Sequence, residues 1–258
     1  MEVIAVINQK GGVGKSTTTL SVGTDLSMRG YKVLFIDLDA QGNLSHTIHK
    51  KRTKQKFLSS IDVLGNEVTA LQSVQHTEQG DIILSSPVLS GADTIINTTG
   101  KEYRLRDALK PIYGLYDYIV IDTPPALGVL TVNALTACTG CIIPAQADPY
   151  SLEGIKQLYE TIEIVKQYCN ANIKVLGIVI TRYNGRAIIG REVAEMMEQT
   201  ARQLNTKVYK TKIRECTAIK ESQAVRQSIQ AYAPKCNASL DYTALVDEIL
   251  EKRKAHDQ

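Results

Sequence analysis

Lys15 and Ser16, set behind glycines 11, 12 and 14, are the residues whose types and spacing suit them to handling phosphate. The stretch Gln9-Lys10-Gly11-Gly12-Val13-Gly14-Lys15-Ser16-Thr17 follows the apolar run Val3-Ile4-Ala5-Val6-Ile7 and precedes a helical pattern from Thr18 to Met28. Glycines let a backbone take positive φ and turn its N–H groups inward. A following helix adds the partial positive charge of its N-terminus, so strand, glycine loop and helix make a nest for a di- or triphosphate. Lys15 is then expected to reach the β- and γ-phosphates, and the Ser16 hydroxyl to ligate Mg²⁺. A turn that used glycine for shape alone would have no need of Gly-Lys-Ser after a buried strand. The usual spacing is Gly, four residues, then Gly-Lys-Ser/Thr. Here Gln9 stands where the first glycine is expected, and a second lysine, Lys10, lies inside the loop.

Two strand ends supply acids. The run Val33 to Asp37 opens into Leu38-Asp39-Ala40-Gln41-Gly42-Asn43, placing carboxylates at alternate positions beside the phosphate loop. A buried strand end does not carry two unpaired carboxylates without a cation to balance them. The run Tyr118-Ile119-Val120-Ile121 ends in Asp122 and continues as Thr123-Pro124-Pro125. An aspartate at the end of such a strand suits Mg²⁺ held through its water shell, and the prolines stiffen the exit. That signal is weak alone and strong beside the glycine loop.

The elements positioning these groups read as alternating strands and helices. Strand-like runs at Val33 to Asp37, Ile82 to Leu84, Tyr118 to Asp122, Cys141 to Pro144 and Val175 to Thr181 are separated by helical patterns, including Leu152 to Tyr168 and Gly190 to Leu204. This predicts an α/β fold: a doubly wound, mostly parallel sheet with helices on both faces, in one domain over residues 1–258. Ligands bind outside the carboxyl ends of such strands, where the glycine loop falls. The stretch Thr47 to Gln79 is the least readable, with a short helix expected over Ser60 to Leu64.

With these residues in view, the loop Lys10-Gly-Gly-Val-Gly-Lys15-Ser resembles the deviant Walker A loop of the ParA/MinD P-loop ATPases, and the resemblance runs from Met1 to about Leu250. It implies ATP and Mg²⁺ as cofactors. Gly11, Gly12, Val13, Gly14, Lys15, Ser16 and Thr17 would form the cradle, and Ser16, Asp39 and Asp122 the metal side. Lys10, Lys15 and Asp39 would be catalytic. Lys10 would reach the nucleotide of a second subunit, as an arginine finger does, which can contribute roughly 10³–10⁵ in rate. Asp39 would position or activate the attacking water, with Ala40 replacing the family's usual proline. Arg182, Ile213 and Arg214 fall where the family presents residues near the base. Ile143 to Gly154 is similar to a segment that helps build the family's dimer face, with Ser151 a plausible helix cap.

Bulk composition narrows the class. No run of about 18 apolar residues is present to span a membrane. The first strand follows Met1-Glu2, so no signal peptide is expected. Five cysteines, an odd number, suit reduced thiols in a cytoplasm. Cys138-Thr-Gly-Cys141 has metal-ligand spacing but no second pair follows. Formal net charge is only +3, yet eleven Lys/Arg against five Asp/Glu lie between Arg182 and Lys235, and residues 50–56 hold five basic residues and no acid. Such asymmetry suits a polyanion on one face.

The resemblance therefore implies a nucleoid-associated, cytoplasmic partition ATPase. Its ATP-bound homodimer would grip double-stranded DNA nonspecifically, and a ParB-like centromere-binding partner would stimulate hydrolysis. Arg186, Arg191, Lys212, Lys220 and Arg226 are the candidate DNA contacts. One departure matters: the family often reads Pro-Arg-Asn-Val-Arg after the position of Ile213, and Ala218 stands where the last arginine, a DNA contact, would be. Lys220 and Arg226, six apart on an expected helix, would lie about 240° around its axis. The alternative is a MinD-like membrane-surface switch, which needs a C-terminal amphipathic helix. Leu245 to Lys254 has that pattern only faintly, with acids interleaved. A relative of the nitrogenase iron protein would need a cysteine just after Pro125, where Gly128-Val129-Leu130 stand instead.

Overall fold

The computed structural model describes residues 1–49, 57–185 and 188–254. Among these, seven strands form one sheet: β1 (Glu2–Val6), β2 (Val33–Asp37), β3 (Val74–Thr77), β4 (Gly80–Ile83), β5 (Tyr118–Asp122), β6 (Gly140–Gln146) and β7 (Lys174–Thr181), in the order β3-β4-β2-β5-β1-β6-β7. All neighbours pair in parallel except β3 with β4. The central strands are apolar throughout because helices cover both faces. One apolar cluster includes Ile7, Leu34, Ile36, Ile119 and Ile121; the other, on the opposite face, includes Val6, Phe35, Val120, Tyr242 and Leu245.

The expected mostly parallel sheet is thus present, with one addition. β4 answers to the expected strand at Ile82 to Leu84, whereas its antiparallel neighbour β3 lies in the stretch that periodicity left unread and is short and half exposed. The helix Ser60–Leu64 has its expected bounds and starts in a capping box, Ser59 with Asp62. Three helices begin earlier than their apolar periodicity suggests, Ile188–Gln203 by two residues and two others by three. Of those two, the first runs Lys15–Met28, because Lys15 and Ser16 already belong to its first turn. The second runs Pro149–Tyr168, with Pro149 in the first turn and Asp148 as the cap, accepting from the Ser151 backbone N–H at 3.1 Å. Ser151 is therefore not the cap; its hydroxyl instead donates to Asp148 at 2.9 Å.

The C-terminal helix Asn237–Lys254 packs against Lys15–Met28, with Tyr242, Leu245 and Val246 fully buried. Of the apolar residues in the tail from Leu245, Leu245 and Val246 are buried, and Ile249 and Leu250 are half buried against the same cluster. No described helix is long and apolar enough to cross a membrane.

Register places the acids. In the parallel ladder Asp37 sits directly across from Asp122, and Val6, where β1 gives way to the glycine loop, sits beside Asp122 on its other side. Three strand ends thus converge on one point at the carboxyl edge of the sheet.

Candidate functional site

The helix Lys15–Met28 starts on Gly14, which is left-handed at φ 89° and offers no side chain as a cap. Gly12 is also left-handed at φ 75°; Gly11 is not, so two of the three glycines are required for their backbone angle. A side chain built on Gly11 or Gly12 would meet nothing within 4 Å, so the loop faces open space on the ligand side. The loop is tethered from behind. Thr181 Oγ1 donates to Val13 O at 2.8 Å, Gln146 Nε2 to Gly12 O at 3.0 Å, and Asn8 Nδ2 to Pro144 O at 2.7 Å. These bonds hang the loop on β6 and β7, whose register was invisible to local reading.

Lys15 is buried, and its ammonium donates to Lys10 O at 3.1 Å. Burial pushes its pKa down, while Asp122 and Asp39 act in the opposite sense. Asp37 is fully buried and accepts from Ser45 N at 2.8 Å, Ser45 Oγ at 2.7 Å and Asp39 N at 3.1 Å. Burial outweighs those bonds and pushes its pKa up to about 6. Asp39 accepts from Gln41 N at 3.0 Å, which closes the turn after β2.

Asp122 differs from both. It is completely buried, and neither of its oxygens has a hydrogen-bond partner of good geometry, although the nearby Ser16 hydroxyl favours its ionised form. Burial first, then the facing Asp37 carboxylate, holds its pKa well above the usual carboxylate range. A buried anion left without partners is costly unless a cation completes the site. Ser16 and Asp122, with Asp39 close by, fit a magnesium ion of the kind held by one or two carboxylates, a hydroxyl and substrate phosphates. No group of three or more His, Cys, Asp or Glu among the described residues forms a cage for a metal by itself. Cys138 and Cys141 are free, buried thiols in the core, both pushed up by burial, Cys141 to about 12.

Two adjoining cavities open from the loop. One of about 510 Å³ is lined by Gly12, Lys15, Ser16, Asp39, Asn43 and Gln223, among others. The second, of about 230 Å³, shares Gly12, Gly14, Thr17 and Gln223 with it and reaches Arg182, Ile213 and Arg214. The residues expected on the phosphate side and those expected near the base therefore line two neighbouring cavities with a shared wall. Arg182 takes a left-handed φ of 50°, unusual for a non-glycine residue, at the end of β7, and its guanidinium meets Glu215 at 3.4 Å.

The backbone lining the second cavity is already engaged. Ile213 N donates to Ile180 O at 2.8 Å, Ile213 O accepts from Tyr183 N at 2.9 Å, and Arg214 N donates to Asp241 Oδ2 at 3.0 Å. Thr217, Cys216 and Gln223 also line this cavity. No motif marked them, because residues so far along the chain from the loop carry no local signal of it. Gln223 reaches Thr17 Oγ1 at 3.1 Å, across a separation of 206 residues, only through the fold.

Lys10 lies at the loop's outer edge, its ammonium 2.6 Å from Asp148 Oδ2. Among the described residues, the candidate DNA contacts fall on separate elements. Arg191 is exposed on the helix Ile188–Gln203, Lys212 sits over the Tyr183 ring at 4.9 Å, and Lys220 lines the base-side cavity. The helix holding Lys220 ends at Ala224, and Arg226 lies beyond it at φ 56°, so no helical wheel relates the two. Arg186 and the basic run 50–56 lie outside the described residues.

A family model described as an AAA domain matches residues 1–175. The chain is 37% identical over 259 residues to the chromosome partitioning protein ParA of Caulobacter vibrioides, covering 98% of this chain and 96% of that protein. It belongs to the ParA/Soj family of partition ATPases. The sporulation initiation inhibitor protein Soj of Bacillus subtilis is 35% identical, with 96% of this chain and 98% of Soj covered. Among solved structures, a cobyrinic acid a,c-diamide synthase from Mycobacterium smegmatis with a bound ATP analog and magnesium superposes with a TM-score of 0.85 at 31% identity, covering 99% of this chain and 97% of that one.

Proposed function

We propose that this chain is a DNA-partition ATPase whose nucleotide state sets its grip on DNA. The observation that carries the reading is Asp122, a buried carboxylate without a hydrogen bond of good geometry, held by register against Asp37 and behind the Lys15–Ser16 cradle. Such a site calls for a divalent cation, and the cation calls for a polyphosphate. ATP and Mg²⁺ are its cofactors; Ser16 and Asp122 would hold the magnesium ion, which would neutralise charge on the phosphates. Lys15 meets the β- and γ-phosphates from inside the loop, Asp39 orients the attacking water, and the residues about Arg182 and Ile213 hold the base. The ATP and magnesium reading draws support from the Mycobacterium smegmatis structure, and the partition role from the ParA and Soj similarities.

The finer steps belong to the same proposal. Two chains close face to face over two nucleotides, and Lys10 leaves Asp148 to reach the opposite active site. Tyr150, 84% exposed beside Asp148, suits such a face. The joined dimer places cations of the 182–235 segment along duplex DNA without reading bases. A ParB-like partner accelerates hydrolysis, and DNA is released in the cytoplasm. What favours DNA over a membrane surface is that Tyr242, Leu245 and Val246 of the last helix are committed to the core.

Retention on a duplex of unrelated sequence, measured at moderate salt with ATP, with ADP and without nucleotide, tests the proposal. Strong retention confined to ATP is expected; equal retention in all three states would refute the switch.

A further inference from the structure

Asp39 is held by bonds that reach past its own turn. Its backbone N–H donates to Asp37 Oδ1 at 3.1 Å, and its carbonyl accepts from Gly42 N at 2.8 Å and from the Ser85 hydroxyl. Ser85 comes from just beyond β4, whose last residue, Ile83, pairs with Ile36 of β2. Two residues past that pair the chain reads Leu38 on one strand and Ser85 on the other, so Ser85 arrives beside the turn that carries Asp39. Ser85 N donates to Ser45 Oγ at 2.8 Å, and Ser45 donates to Asp37 Oδ2 through its own N at 2.8 Å and its Oγ at 2.7 Å. A Cβ built on Gly42, left-handed at φ 61°, would come 3.8 Å from Ser85 Cβ, so the serine packs directly on the turn. Ser85 is tied to Asp37 through Ser45, and with its own hydroxyl it holds Asp39.

We propose that Ser85 is a positioning residue for ATP hydrolysis, its hydroxyl fixing the backbone of Asp39 so that the carboxylate stays at the phosphate cradle. The role rests on the reading that Asp39 orients the attacking water. Asp39 lines the larger cavity together with Lys15 and Ser16. Ser85 lines a separate cavity of about 460 Å³ with Ile61, Pro87 and Val88, so its effect on the reaction passes through Asp39. Asp37, Gln41 and Gly42, which also bond Asp39, lie within three residues of it; Ser85, 46 residues on, anchors the turn to the neighbouring strand. A carboxylate fixed in advance needs no reorganisation at the moment of reaction, and a group displaced by about 1 Å can lose on the order of 10² in rate.

Ser85→Ala, and Ser85→Thr, which keeps the hydroxyl, are compared with wild type in the full chain with ATP and Mg²⁺. In Ser85→Ala, kcat should fall by a factor on the order of 10 to 10² with KM for ATP unchanged, and Ser85→Thr should restore most of the rate. A wild-type kcat in Ser85→Ala, or a raised KM with kcat kept, would overturn the assignment. On the Asp39→Asn background Ser85→Ala should cost nothing further, because the two residues act as a unit; a full additive loss would show that the serine does not act through Asp39. Amide exchange in the nucleotide-free chain needs no hydrolysis. The Gly42 N–H, bonded to the same Asp39 carbonyl, should exchange faster in Ser85→Ala and at the wild-type rate in Ser85→Thr; unchanged exchange in Ser85→Ala would overturn the clamp. If Asp39→Asn alone hydrolyses ATP as fast as wild type, the reading of Asp39 falls and the role in hydrolysis with it, while Gly42 exchange still decides whether Ser85 holds the turn.

Discussion

Lys10 and Asp148 form an ion pair of 2.6 Å within one chain, joining the phosphate loop to the cap of the helix Pro149–Tyr168. Burial raises the Asp148 pKa, and the hydrogen bonds from Lys10 and Ser151 more than offset it, leaving that carboxyl below its usual range. The lysine that is proposed to act in a second subunit is therefore parked in its own.

Parking is cheap to undo. The two side chains are 36% and 27% exposed, and pairs of this kind contribute about 0–1 kcal/mol. Lys10→Ala should leave ATP affinity of the monomer within about threefold, a difference below about 1 kcal/mol. Partner-stimulated turnover should drop by a factor on the order of 10³. Single-turnover hydrolysis with DNA and partner present checks this, and full stimulated activity in the variant would remove the trans-acting role.

Asp122→Asn separates stability from function. Replacing an orphaned carboxylate by a neutral amide removes the cost of charging it, so the nucleotide-free variant should melt at the same temperature as wild type or higher. The difference should widen as pH rises, since charging of the wild-type group is what costs. Magnesium-dependent hydrolysis should be lost. Melting curves across pH, paired with turnover assays, decide it; a variant clearly less stable than wild type at alkaline pH would contradict the orphaned-anion reading.

Asp37 gives the apo protein a pH signature. Its folded-state pKa of about 6 lies above the ordinary value of 3.8, so the folded state holds a proton that the unfolded chain has released in between. Stability from this group is complete below the unfolded value and is lost as pH rises through about 6. Denaturant midpoints between those limits should fall with pH in wild type and fall less steeply in Asp37→Asn. Equal slopes in the two proteins would place the titration elsewhere.

DNA retention by the ATP form should weaken steeply with salt, as counterion release requires. Removing a lysine or arginine that touches phosphate lowers the log–log slope by about 1. Arg191→Ala is expected to do so. Lys220→Ala, at the base-side cavity, should instead change nucleotide affinity more than the salt slope. Salt titrations of both variants on one duplex distinguish these roles.

The chemistry was legible in local order: Gly12, Gly14, Lys15 and Ser16 sit between a strand and a helix, and Asp37 and Asp122 end apolar strands, because short-range spacing dictates such turns and strand ends. The strands and helices that periodicity marked are present, but short elements such as the strand β3 and the helix Arg104–Leu109 were not read, being too short to show a clear period. Only the tertiary structure decided which groups meet. Parallel register set Asp37 against Asp122, the fold brought Gln223 and Cys216 to the cavity beside the glycine loop, and Asp148 came within reach of Lys10. Those pairings join residues far apart in the chain, and such meetings are set by how the whole sheet and its covering helices bury apolar surface, which no local pattern encodes.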